Sequence, residues 1–404
     1  MNGLSKIQRW SQQAALYCAL GFSFFIPISP ALMNIFLFFT LVFTLFAGNL
    51  RNHLQIIWDN PVAKAALLLF SLFAVGTTWS ITGFTESMKG LNKYNELWFI
   101  ALLMPLFLTE ERKKLAINTF LLSMILILMV VYAIYFGLLT ELHIPITKEH
   151  TTIISVDNGF RSHIITNILM SFTLFIFAQR TLLHKKPFRW GYGLLFLFSA
   201  YYALFISTGT TGQILTIGLL SLLAIQHFPR KSFLIIPLLF SGIIGYGQYS
   251  TETSIQHAVN KIIGGIQHDG GSASQRREFI ENSILLFEKR PWLGSGTGSI
   301  GRAYAQLPAE TIRTDLTTNP HNEYVATGIQ LGLLGFTGLI LLFLIQAWQS
   351  TQLTENREQR YLAQGLVALI IVASLGNSML MDSGEGHFWA FFSALLFTQP
   401  NHKV

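Results

Sequence analysis

The segment E-K-R-P-W-L-G-S-G-T-G, from Glu288 to Gly298, lies inside the only long polar passage of this chain, Tyr249 to Leu331. The sequence on either side of that passage is almost continuously apolar. Apolar spacing predicts a helix over Gln275 to Phe287, and Pro291 ends it. The glycines that follow favour a turn whose backbone amides can approach an anion. The sequence thus predicts an apolar scaffold that supports one polar working segment.

The composition is that of a membrane protein with several spans. Of 404 residues, 51% are hydrophobic and 12% are charged, whereas an ordinary soluble domain has about 25% charged residues. The formal charge of +7 does not indicate a nucleic-acid partner, because the basic residues punctuate apolar segments instead of covering one face. Cys18 is the single cysteine, so the chain can form neither an internal disulfide nor a cysteine-ligated metal site.

We predict an all-α fold of about twelve transmembrane helices that form a single membrane domain over residues 1–404. A spanning helix needs about 20 largely apolar residues, and fewer where neighbouring helices bury it. Lys6 and Arg9 precede a first span that we interpret as retained, since no small-residue cleavage pattern follows it. The twelve candidates are Ser11–Ile26, Ala31–Gly48, Pro61–Trp79, Tyr94–Leu108, Leu115–Gly137, Ser162–Leu183, Trp190–Ile206, Gly212–His227, Ser232–Tyr249, Asn322–Ala347, Tyr361–Met381 and His387–Phe397.

The distribution of lysine and arginine predicts that both termini are cytoplasmic, because positive residues in short loops are retained on that side. Short loops on one side hold Arg51, Arg112 to Lys114 and Arg230-Lys231, whereas the loops at Pro27 to Pro30 and Ser207 to Thr211 hold none. Loops with Lys89 and Lys93, or with Lys148 and Arg161, weaken this pattern without reversing it. The passage at residues 249–320, between the ninth and tenth spans, is then a large outward loop with short helices.

Two basic groups in that passage are candidates for handling an anionic substrate. Arg276 and Arg277 begin the predicted helix, and a planar guanidinium suits a diphosphate because it donates paired hydrogen bonds and keeps its charge. His321 follows Asn319-Pro320, which restricts the backbone, and a neutral imidazole there can accept a proton. The alternatives are that the arginines decorate an exposed helix or contact lipid phosphates, and that His321 is a polar residue at the membrane interface.

Two polar turns between spans are expected to line the mouth of the same cavity. One is Ser207 to Gln213, which contains Thr210, and the other is Asp157 to His163, which contains Arg161. In the alternative interpretation, Thr210 or Thr211 caps a helix that begins near Gly212. The sequence has no Walker-type loop and no metal-binding cluster within a span, so we expect neither an ATP-driven pump nor a metal site.

The polar passage resembles the O-antigen ligase family. The resemblance rests on Arg276, on Pro291 fifteen residues later with the glycine turn, on Pro320-His321-Asn322-Glu323-Tyr324, and on Leu331-Gly332-Leu333-Leu334-Gly335. These segments look like that family's S-x-R, R-P-x-x-G-x-G-x-G and H-N-x-[YW] with L-G-L-L-G signatures. Length, spans and the large outward loop fit as well. Similar motifs also occur in O-antigen polymerases and in pilin-type O-oligosaccharyltransferases.

The resemblance implies a class C glycosyltransferase-like enzyme of the bacterial inner membrane. It would be inverting and independent of metal or cofactor. Its partners would be an undecaprenyl diphosphate-linked glycan donor, the lipid A core as acceptor, and membrane lipids, with the active site on the periplasmic face. By position, His321 would be the base and Arg276 a diphosphate ligand, with Asn322 beside them in the substrate-binding group.

One position departs from the family pattern. The turn looks like the family's S-T-G-R-T-G, in which an arginine is a second essential basic group, but this chain has Thr210 there. The resemblance therefore implies that Arg161 or Arg277 supplies the missing charge, or that activity is impaired. A polymerase or protein O-oligosaccharyltransferase on the same scaffold is one alternative function. A lipid-linked glycan transporter or flippase is another, although no pair of interrupted spans in matching halves favours it.

Overall fold

The computed structural model describes residues 6–48, 50–145, 151–249, 272–308 and 317–399. This part of the chain is mostly helical. Its α-helices are α1 Lys6–Phe25, α2 Pro30–Phe46, α3 Leu50–Asp59, α4 Pro61–Gly76, α5 Phe84–Asn92, α6 Glu96–Leu103, α7 Glu110–Tyr135, α8 His163–Leu183, α9 Phe188–Tyr201, α10 Thr210–His227, α11 Ser232–Tyr249, α12 Ser272–Lys289, α13 Ile300–Tyr304, α14 Glu323–Gln352, α15 Arg357–Gly376 and α16 Ser383–Phe397. A 3₁₀ turn, Met104–Phe107, extends α6, and a π-helical turn, Tyr202–Ile206, extends α9.

The centre of the bundle is built on α8 and α16. In the most apolar 18-residue stretch of α8, 89% of the residues are buried. The neighbours of α8 include α9, α10, α15 and α16. Phe388, Phe391 and Phe392 of α16 are fully buried, and Phe392 packs edge-on against Phe172 of α8 at 5.0 Å between ring centroids. Burying aromatic rings of this size dominates the energetics of a core, so these two helices hold the others around them.

Four helices in the described ranges are long and apolar enough to cross a membrane, namely α7, α8, α14 and α15. Three further apolar helices are shorter, at Pro61–Gly76, Glu96–Phe107 and Ser232–Gly242. A membrane protein with mostly helical architecture is thus confirmed, while the twelve spans stay a prediction. The outward placement of residues 249–320 also stays a prediction, and its part at 250–271 lies outside the described residues.

Local elements differ from the sequence prediction in two respects. The connections that carry Arg51 and Lys89 are helices, α3 and α5. The all-α prediction also missed a two-stranded antiparallel sheet between α7 and α8, formed by β1 Leu142–Pro145 and β2 Thr151–Ile154 with Leu142 opposite Ile154. The β-branched run Thr151 to Ile154 favours a strand.

The polar passage is joined to the bundle at a break in α14. Gly332 interrupts that helix with φ 60° and ψ −152°, and the glycine turn at residues 294–298 inserts there. A Cβ added to Gly332 would lie 2.5 Å from the backbone carbon of Trp292. A Cβ added to Gly294 would lie 2.5 Å from the backbone carbon of Gln330. Only residues without side chains allow two backbones to approach so closely.

Candidate active site

His321 lies where the polar passage meets α14, in a backbone conformation that few residues adopt. Its φ is +52°, the only positive φ of a non-glycine residue in the described part of the chain. The backbone amide of His321 donates to Asn319 Oδ1 at 3.0 Å. A left-handed conformation costs free energy and persists only where the surroundings impose it. Asn319 and the start of α14 therefore fix the direction of the imidazole.

The imidazole of His321 is suited to accept a proton. Within the described ranges, its Nδ1 is buried and has no hydrogen-bond partner. Burial lowers the pKa of His321 below its ordinary value of 6.5, the charge of Arg276 lowers it further, and Asp382 opposes both effects. The ring therefore stays neutral at physiological pH, which is the form that a general base requires.

Asp382 faces His321 from the loop before α16, and the sequence analysis did not single it out. Asn319 links the two residues, because its Nδ2 donates to Asp382 Oδ1 at 3.3 Å. Burial raises the pKa of Asp382, while His321, Asn319 and Lys93 counteract that effect. Glu323 fixes the same loop, since its Oε2 accepts a hydrogen bond from the amide of Leu380 at 2.9 Å. The one sequence signal that could have pointed to Asp382 is its position as a carboxylate in a short loop between apolar segments.

Arg276 approaches His321 from α12. Its guanidinium is half-buried, and burial lowers the pKa of Arg276. A Cβ placed on Gly376, the last residue of α15, would be 3.8 Å from both Arg276 Nη1 and Thr211 Oγ1. Arg276 thus lies beside the ends of α10 and α15, and its partnership with His321 in the reaction stays a prediction.

Arg161 lies on the Asp382 side of the site. Its Nη1 donates to the carbonyl of Ile26 at 3.0 Å, and its guanidinium packs against Gly384. Burial lowers the pKa of Arg161, and Glu385 counteracts this effect. The two predicted polar turns are also in contact, because the amide of Thr208 donates to Asp157 Oδ1 at 3.0 Å.

Three other predicted site residues have different surroundings. Arg277 lies on the exposed side of α12, where its Nε donates to Glu281 at 2.8 Å. Asn322 caps α14, accepting from the amide of Val325 at 3.1 Å and donating to the carbonyl of Leu375 at 3.0 Å. Thr210 is the first residue of α10, half-buried, and the N-cap is Gly209, which makes no side-chain cap bond. The alternative that Thr210 or Thr211 caps this helix is therefore wrong.

The glycine turn does not offer its amides to an anion, contrary to the sequence prediction. The amides of Ser295 and Gly296 donate to the carbonyls of Ile329 and Gln330, each at 2.8 Å. The amide of Thr297 donates to Gly76 at 3.0 Å, and that of Gly298 donates to the side chain of Gln330 at 2.8 Å. The break in α14 and the end of α4 leave backbone carbonyls that need donors, and the turn supplies them. The described ranges also contain no group of three or more His, Cys, Asp or Glu residues that could hold a metal ion.

Comparison with known proteins bears directly on this arrangement. Residues 193–340 match the family model Wzy_C, described as O-Antigen ligase. The resemblance to the O-antigen ligase family is confirmed. The matched O-antigen ligase segment contains Arg276, His321, the glycine turn and the break in α14, whereas Asp382 and Arg161 lie outside it. No curated protein matched the chain in a second comparison.

The similarity of residues 193–340 to this family model supports a glycosyl-transfer activity of the ligase, polymerase or oligosaccharyltransferase type. The family also indicates a lipid-linked glycan donor and a lipid acceptor in general terms. Both substrates are amphiphilic, which agrees with a site at the end of an apolar helix bundle.

Proposed function

We propose that this protein transfers an oligo- or polysaccharide from undecaprenyl diphosphate to the lipid A core, with inversion and without a metal. The observation that carries the proposal is His321, held in a strained conformation with a buried, unpartnered Nδ1 beside Arg276. The proposal places the enzyme in the bacterial inner membrane, with cytoplasmic termini and a class C glycosyltransferase-like bundle. Its site faces the periplasm.

At C1 of the donor sugar, the chemical step forms one C–O bond and breaks another. An acceptor hydroxyl oxygen attacks C1 of the donor sugar while the bond from C1 to the diphosphate oxygen breaks. His321 takes the hydroxyl proton, and the diphosphate leaves with the bonding electron pair. Attack from the side opposite the leaving group inverts the anomeric centre.

Arg276 and His321 have complementary tasks in this step. The guanidinium of Arg276 stabilises the charge that develops on the leaving diphosphate, and a fixed cation in a partly buried site does so with little reorganisation. The same charge lowers the pKa of His321, so the leaving-group ligand also keeps the base neutral. Asn319 and Asp382 position the histidine.

The test is transfer by purified protein, with lipid-linked donor and lipid acceptor and without an energy source. We expect glycosylated acceptor from the parent protein and a loss of roughly 10²–10⁴-fold in rate for His321→Ala, as for removal of a general base. His143→Ala is the matched control, because His143 is an exposed histidine on β1. Near-parental rates for a folded His321→Ala protein contradict the assignment of His321 as base.

The same assay separates the alternative functions. Elongation of the donor's own glycan in place of acceptor glycosylation indicates a polymerase, and glycosylated pilin indicates a protein O-oligosaccharyltransferase. Movement of donor across vesicles without a new glycosidic bond indicates a transporter.

A further inference from the structure

A cavity with several charged residues in its lining lies next to the candidate active site, between α5 and α13. Its volume is about 680 Å³. The cavity is also bordered by Gly298 of the glycine turn, which packs against Gly90 of α5. The polar residues that matter for its chemistry are Glu86, Lys89, Lys93, Arg302, Thr318 and Gln330.

Positive charge predominates in this cavity. Three cationic side chains line it, and Glu86 is the single acidic residue among the described residues that do so. Glu86 pairs with Lys89 at 2.8 Å, which leaves the charges of Lys93 and Arg302 without an ion pair within the described ranges. The N-terminus of α5 also lies here, since its N-cap Gly83 makes no side-chain cap bond and borders the cavity. Exposed amides at a helix start add positive potential.

The cavity borders the two loops that hold Asn319 and Asp382. Thr318 and Met381 line it, and they directly precede Asn319 and Asp382. Lys93 is close enough to Asp382 to counteract the rise that burial causes in the pKa of that carboxyl. Arg276, in contrast, lies beside Gly376 and Thr211 at the ends of α15 and α10. The two groups of cations therefore flank the His321–Asn319–Asp382 group from different elements.

This arrangement separates the sites for two anionic substrates. In the proposed reaction, the leaving diphosphate lies on one side of the sugar C1 and the attacking hydroxyl lies on the other. Arg276 is the cation for the diphosphate. The cavity beside Asn319 and Asp382 is then the place for the acceptor, whose hydroxyl must reach the base.

We propose that the cavity of Lys93 and Arg302 binds phosphate or carboxylate groups of the acceptor glycolipid. This inference rests on the proposed function. Ammonium and guanidinium groups bind such anions through charge-assisted hydrogen bonds. The volume of the cavity is large enough for a charged sugar and the sugars bonded to it. Binding there selects an anionic acceptor and orients its hydroxyl toward His321.

The test compares acceptor and donor kinetics of the purified protein. In the double variant Lys93→Gln/Arg302→Gln, we expect the acceptor KM to rise roughly five- to ten-fold, since exposed charge pairs are individually weak. The donor KM and kcat are expected to stay near parental values. Lys289→Gln, an exposed lysine at the end of α12, is the matched control and should change neither KM.

A second arm uses one acceptor glycolipid in two forms, with its phosphate groups and after their enzymatic removal. The parent protein should prefer the phosphorylated form, and the double variant should lose most of that preference. An increase in donor KM instead assigns the cavity to the donor diphosphate and overturns the proposal, as does an unchanged acceptor KM. Absence of transfer by the parent protein with either acceptor contradicts the proposed function itself, so the two failures are distinguishable.

Discussion

Arg180 and Lys113 at one end of the helix bundle are held in a different way from Arg276 at the other. At the end opposite His321, Arg180 has a side chain only 5% exposed and pairs with Glu358 at 2.8 Å, while Lys113 pairs with Glu110 at 2.9 Å. At the His321 end, Arg276 is half-buried and forms no ion pair in the described part of the chain. Burial of a charged group costs stability, so the half-buried charge of Arg276 points to a use other than packing.

The largest expected effects on transfer rate and stability come from a comparison of the variants Arg276→Gln and Arg180→Gln. We expect Arg276→Gln to lower transfer roughly 10²–10³-fold, as for loss of one group that stabilises transition-state charge, with little change in thermal stability. Arg180→Gln should instead destabilise the protein by about 3 kcal/mol, because Glu358 is left partly buried without its partner. Transfer rates and melting temperatures in detergent measure both. A stable, inactive Arg180→Gln protein breaks the comparison.

An intermediate effect concerns the turn before α10, where Thr210 replaces the arginine of the family pattern. We predict that Thr210→Arg raises the transfer rate roughly ten-fold, because one charge-assisted hydrogen bond to the leaving diphosphate is worth about 1.5–3 kcal/mol. Thr211→Arg is the matched control, since its side chain would start beside the guanidinium of Arg276 and repel it. Initial rates of donor consumption decide between them. An equal or lower rate for Thr210→Arg would leave Arg161 as the candidate for the second basic group.

The smallest effect is a shift in the pH dependence of kcat/KM. His321 must be neutral to accept a proton, so the rate falls as pH drops through its pKa, which lies below 6.5. Asp382→Asn removes a carboxylate that raises this pKa, so the acid limb should move to lower pH. Arg276→Gln removes a cation that lowers it, so the residual activity should show an acid limb at higher pH. Shifts of both variants in the same direction contradict the proposed role of His321.

The family resemblance implied the pairing of His321 with Arg276, whereas the residue pattern alone made each of them only a candidate. The pattern alone did not distinguish Arg276 from Arg277. Adjacent positions on a helix point about 100° apart, and only the packing of α12 against the bundle decides which one turns inward. Asp382 was missed because a lone carboxylate in a short loop belongs to no motif in the sequence.

The glycine turn shows a different limit of sequence reasoning. The spacing of Gly294, Gly296 and Gly298 correctly indicated a turn, and all three glycines have positive φ in the structure. The partners of their amides lie in α4 and α14, far away along the chain. The local sequence of the turn does not predict that α4 ends, and α14 breaks, with backbone carbonyls that need hydrogen-bond donors.

The joint between the glycine turn and α4 has a consequence for biosynthesis. Trp79 donates to the carbonyl of Leu293, Ser80 to that of Thr297, and Thr297 to that of Phe73, across 214, 217 and 224 residues respectively. A ribosome delivers about 5–20 residues per second, so the end of α4 waits on the order of ten seconds or more for the segment that completes it. During that interval the amino-terminal helices exist without their final neighbours. Assembly of the active site is therefore among the last events in the maturation of the chain, and truncated chains that end before Gly298 cannot complete it.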